Sequence, residues 1–153
     1  MDTTLTEVIN THRIVWQYRA KLHAVWPTPD PQDSLRFAVT EAGEALDAYL
    51  RTIPQYARNN HRNMSVSDEL GDCAMMLCTA LPEHYTFPQH VDTTPPTLDG
   101  ICFFVADALL TGEVVEPLVM IAVYLRDKHG LSMAEVVESR LQRIERKVTE
   151  AAA

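Results

Sequence analysis

Apolar residues recur every three to four positions along nearly the whole 153-residue chain. That period belongs to helices that bury one face; strands alternate with a period of two. Only five glycines interrupt it. Local punctuation then divides the chain into about five to six helices. The first is expected over roughly 3–25, carrying Val8, Ile14, Val15, Trp16, Leu22 and Val25, and stops before the proline-rich WPTPDPQD. In that stretch Asp30 can cap the next helix, Pro31 suits its first position and Asp33 its first turn, so helix two is expected to about 52. Ser65 opens a Ser-x-x-Asp cap for helix three, to about 81. LDGICFFVADALLTG and PLVMIAVYLRDKHG each end in a glycine, and a Ser132/Glu135 capping box opens a last helix. The run 81–97, with four prolines, reads as a structured loop too short to separate domains. The expectation is one all-α helical bundle spanning 1–153.

Composition narrows the partners. A 46% hydrophobic chain of this length buries a core without disulfides or a structural metal. A net charge of -8 argues against gripping a nucleic-acid polymer, which needs a basic face. Cys73, Cys78 and Cys102 lie in apolar runs without metal-ligand spacing and read as free core thiols, which fits a reducing compartment. The first thirty residues do not have the pattern of a signal peptide, and no apolar run is long enough to span a membrane. A cytoplasmic location without a membrane partner is expected.

Two short stretches break the apolar pattern. Glu41 and Glu44 in FAVTEAGEAL, and Glu69 and Asp72 in DELGDCAMML, are acids three residues apart, so each pair projects from one helical face. On helix three, Glu69 and Asp72 share an arc with Met76 and Ala80, beside the Leu70, Cys73, Leu77, Leu81 stripe. On helix two, the main apolar stripe is expected at Leu35, Val39, Ala42, Leu46 and Leu50, with the acids on another side beside Phe37 and Ala48. Gly43 and Ala45 are small and predict close approach by a helix or a ligand.

Carboxylates converging inside a bundle repel one another at low dielectric, and a divalent cation relieves that most simply. An all-oxygen set of Glu41, Glu44, Glu69 and Asp72 suits Mg²⁺, with Mn²⁺ as a substitute. A solvated or arginine-paired acid face is the plainer alternative. A di-iron bundle would need Glu-x-x-His, which neither Glu41 nor Glu69 begins.

EAGE at 41–44, then twenty-four residues, then ELGD at 69–72 resembles the MazG-like all-α nucleoside triphosphate pyrophosphohydrolases, whose signature is ExxE followed one hairpin later by ExxD. The likeness covers about 31–81, and KHGLSMAEVVESRLQRIERK is similar, more weakly, to the family's last helix. Arg140 stands where a lysine is usual, Ile144 where asparagine is frequent, and Thr40 where many members carry another glutamate. The resemblance implies Mg²⁺-dependent cleavage between the α- and β-phosphates of a nucleoside triphosphate, giving the monophosphate and pyrophosphate, with dUTP or dCTP as substrates by analogy. It implies metal ligation by Glu41, Glu44, Glu69 and Asp72, with Glu41 or Glu44 as general base. A homodimer or homotetramer is expected, with subunit contacts from the apolar helices at 97–128.

A triphosphate needs cations beyond its metal. Arg140, Arg143 and Lys147 on the last helix are expected at the edge of the core, and Arg62 in the loop before helix three is a further candidate. Trp16 and Asn10 on the first helix are candidates for base contacts, with core packing the alternative for Trp16. Tyr56, Tyr85 and Phe87 are loop aromatics placed to cover a pocket. From another class, a non-catalytic bundle that binds a nucleotide or a protein partner would carry the same acids as a vestige.

Overall fold

A computed structural model describes residues 2–57, 65–92 and 94–153. Among them the chain forms six α-helices and a short 3₁₀ turn, with no strand: α1 (Thr3–Lys21), α2 (Pro31–Leu50), α3 (Val66–Ala80), α4 (Leu98–Thr111), α5 (Val115–His129) and α6 (Met133–Ala152). The all-α bundle is as expected. So are its caps. Asp30 accepts from the Asp33 N–H, Ser65 from Asp68 and Ser132 from Glu135, while Gly112 and Gly130 close α4 and α5 in the left-handed conformation at φ 78° and 65°. The start of α6 has a second seal, because Glu7 Oε1 on α1 accepts from Ser132 Oγ at 2.9 Å and from Met133 N at 2.7 Å.

α3 lies at the centre, packed against α1, α2, α5 and α6, and its most extensive partner is α2. Leu70, Cys73, Ala74, Leu77 and Cys78 are fully enclosed. α4 packs on α2 and α5, and α1 runs along α6.

Three expectations are corrected. α1 ends at Lys21, four residues early, and the chain turns on the Leu22 carbonyl, which accepts from Val25 and Trp26; Val25 is left exposed. α2 buries Leu35, Ala38, Ala42 and Ala45, leaving Leu50 exposed and Val39 and Leu46 half-buried. Alanines win over larger residues there because they let two backbones approach: Cys73 Sγ donates to the Ala38 carbonyl at 3.4 Å and Cys102 Sγ to Ala42 at 3.5 Å. That rotation carries Glu41 toward α3. Gly43, finally, faces open space, whereas a Cβ on Gly71 would stand 2.6 Å from Val136 Cγ1. Gly71, between the two acids of helix three, is the glycine that admits α6.

Candidate metal centre

Glu69 is 2% exposed, on α3, the helix that α2 packs against most extensively. Asp72 lies one turn further along the same face. Glu41 comes in from α2, and ligand atoms of Glu41, Glu69 and Asp72 converge to within 4.8 Å of one another. Glu44 is half-buried and outside this trio, but close enough to push the Glu41 and Glu69 pKa values up.

Burial is the first cause of every shift in the cluster. It raises Glu41 to about 9, helped by the hydrogen bond to Glu69 and by the charges of Asp72 and Glu44. Glu69 rises to about 7 from burial, with the bond from Glu41 pulling the other way. In that bond Glu41 is the donor and Glu69 the acceptor. Asp72 is also raised by burial, and Arg140 opposes the rise. The Glu69 Oε2 atom is buried without a hydrogen-bond partner among the described residues. An acceptor in that state is costly unless a donor or a cation reaches it.

Arg140 shapes the cluster from α6. Its Nε donates to Asp72 Oδ1 at 2.9 Å and its Nη2 to Oδ2 at 3.1 Å, a bidentate pair with both side chains mostly covered. Gly71 makes this possible, because the Arg140 stem passes over the space a side chain would fill.

The other sequence candidates are dispersed. Arg143 and Lys147 are exposed, not at the edge of the core. Trp16 donates from Nε1 to the Leu81 carbonyl at 2.9 Å, at the end of α3 away from the acids. Asn10 is exposed and accepts from Arg13 Nη2 at 3.3 Å. Tyr85 and Phe87 stack edge-on, and Phe87 packs on His12, so they cover the Trp16 end. Tyr56 is exposed, and Arg62 lies outside the described residues. Cys73 and Cys78 are buried free thiols, as expected, and Cys102 is half-buried.

One charged residue went unnoticed in the sequence. Arg19 is 2% exposed, held in the bundle by α1. The signal was available: Leu5, Val8, His12, Val15, Arg19 and Leu22 follow a three-four spacing, which puts a histidine and an arginine on seam positions of an apolar stripe. Among the described residues no helix is long and apolar enough to cross a membrane. No family model, curated protein or solved structure matches this chain.

Proposed function

We propose that the chain is a MazG-like, Mg²⁺-dependent nucleoside triphosphate pyrophosphohydrolase, converting a nucleoside triphosphate and water to the monophosphate and pyrophosphate. The observation that carries this reading is the convergence of the half-buried Glu41 with Glu69 and Asp72, with Glu69 Oε2 left unpartnered among the described residues. Those residues fit a hard divalent cation in donor type and spacing, and Mn²⁺ would substitute. When bound, Mg²⁺ would supply charge neutralisation and polarisation of phosphate oxygens.

The chain's own groups do the rest. Arg140 fixes the Asp72 carboxylate through two hydrogen bonds, so its oxygens are oriented before any ligand arrives. Glu41, raised to about 9, holds a proton at neutral pH until positive charge nearby displaces it. Glu44, half-buried beside the trio and not within it, is the better general base, because it is not committed as a ligand. A preference for dUTP or dCTP and a cytoplasmic location belong to the same proposal.

Assembly as a homodimer or homotetramer is also part of it. Supporting it, the α4 face exposes Phe103 at 65% and Leu110 at 86%, a large apolar area for a helix end-to-end on the surface.

The test is incubation with a panel of nucleoside triphosphates and Mg²⁺, reading pyrophosphate and monophosphate. Expected is release of both from at least one member, lost in Glu44→Ala. Orthophosphate alone, no turnover of any member, or full activity in Glu44→Ala overturns the reading. The Arg140–Asp72 pair gives some support to a second reading, a non-catalytic bundle whose acids are held structurally. In that case a nucleotide would raise Tm without being consumed.

A further inference from the structure

Arg19 is a buried cation without a counter-ion among the described residues. Its Nε and Nη2 both donate to Thr79 Oγ1 at 3.2 Å, and Nη2 lies 3.7 Å from Met76 Sδ. Thr79 in turn donates to the Met75 carbonyl at 2.8 Å, so its one hydroxyl oxygen is fully used. Nη1 is buried with no partner among the described residues. No described carboxylate pairs with the guanidinium, and burial alone pulls its pKa down to about 10, which still leaves it charged at neutral pH. Arginine is almost never fully buried unless paired, because a desolvated charge needs an opposite charge to offset its cost.

Position supplies the rest of the argument. Met76 follows Asp72 by one turn on the same face of α3, and Thr79 by two, so the two residues that the guanidinium contacts lie about 6 to 10 Å along the axis from Asp72. One face of the guanidinium is covered by the Trp26 ring, whose centroid is 3.7 Å from Arg19 Cζ. Trp26 is half-buried in the non-helical stretch between α1 and α2, and its backbone N–H donates to the Leu22 carbonyl at 2.8 Å. On the last helix, by contrast, Arg140 is engaged with Asp72, and Arg143 and Lys147 are exposed.

We propose that Arg19 is an anion-binding residue that takes a phosphate group of the ligand whose cation Glu41, Glu69 and Asp72 hold, with Trp26 stacked on its guanidinium. This rests on the reading of the acid trio as a metal centre facing phosphate. The planar guanidinium offers its unpartnered nitrogen to a phosphate oxygen, a charge-assisted bond in a dry site. The Trp26 ring lies against the guanidinium plane and leaves the in-plane nitrogens to the anion.

The test titrates the full chain with inorganic pyrophosphate, with and without Mn²⁺, reading Tm and tryptophan emission in wild type, Arg19→Lys and Arg19→Met. Pyrophosphate is expected to raise the wild-type Tm and change its emission. Arg19→Met should bind pyrophosphate on the order of tenfold more weakly, with Mn²⁺ affinity unchanged, and Arg19→Lys should fall between. Equal pyrophosphate affinity in all three proteins, or no response in the wild type, overturns the assignment. If Arg19→Met does not fold, Arg19→Lys decides by the same comparison. A wild type that binds pyrophosphate through Arg19 yet hydrolyses no nucleoside triphosphate removes the enzymatic reading and leaves this one standing. Hydrolysis with a KM unchanged in Arg19→Lys does the reverse.

Discussion

At the C-terminal end of α3 the carbonyls of Cys78 and Leu81 receive the Trp16 indole N–H, and His12 Nε2 lies 3.3 Å from the same Leu81 oxygen. At the other end, Glu69 and Asp72 meet Glu41 at comparable depth, yet Glu69 Oε2 has no described partner and burial drives three carboxyl pKa values upward. Both ends bury polar atoms against the same helix. At the first end the Trp16 and His12 contacts close on the Leu81 carbonyl, so that pair contributes to stability and asks for nothing further. It is the neighbouring Arg19, on Thr79, whose Nη1 has no partner among the described residues. The acid end keeps an unmet electrostatic demand, and folding tolerates it because the rest of α3 is so thoroughly packed.

The largest expected effect breaks the unmet end. Glu69→Gln keeps the size and removes the charge, so Mn²⁺ binding should weaken by more than about 100-fold, beyond what loss of an outer-shell partner costs; calorimetric titration checks this. The same variant should flatten the pH dependence of the metal-free protein. Glu41 and Glu69 have folded pKa values of about 9 and about 7 against the usual 4.5, so the native state binds more protons than the unfolded chain in between. Stability must then fall as pH rises from about 4.5 toward 9, steepest below about 7 where both groups contribute. Melting temperatures across that window should decline in the wild type, less so in Glu69→Gln, and Mn²⁺ should restore more at pH 8 than at pH 5. A flat profile would mean the acids are solvated.

Next in size is the seam that brings Arg140 to Asp72. Gly71→Ala places a methyl 2.6 Å from Val136 Cγ1. Overpacking of this kind costs about 1–3 kcal/mol, which for a domain of this length lowers Tm by roughly 2–4 °C per kcal/mol. Adding Val136→Ala should recover most of the loss. If Gly71→Ala melts like the wild type, the close approach of α6 is not what holds the pair.

The smallest effect belongs to the satisfied end. Trp16→Phe removes the bond to Leu81 and should lower stability by about 1 kcal/mol, with Mn²⁺ affinity untouched. A change in Mn²⁺ affinity would show that the two ends of α3 are coupled.

Much of the fold was legible because it is written locally. Asp30, Ser65, Ser132, Gly112 and Gly130 act at the positions where a cap's chemistry is needed, and each helix could be delimited to within a few residues. The paired acids were legible for a similar reason: three-residue spacing fixes a shared face whatever surrounds it. Contacts between helices were not. Ranking positions by hydrophobicity pointed α2 toward Leu46 and Leu50, while the packed face is the alanine one, chosen by how closely α3 can approach. Gly43 and Gly71 look alike in sequence, and only the second meets another helix. The pairing of Arg140 with Asp72 joins residues sixty-eight positions apart, which no local pattern reports. Arg19 was passed over because long cations are ordinarily at the surface.

Glu7 completes the N-terminus of α6 across 125 and 126 positions of chain. Loop closure over that span has an entropy cost on the order of 4 kcal/mol beyond a constant, so the start of α6 is sealed only after α1 has docked. The α2–α3 pair, by contrast, needs only its short connection. Refolding should therefore proceed from the middle of the chain outward, with the marriage of the first and last helices as its final step and the amide of Met133 among the late ones to gain protection from hydrogen exchange.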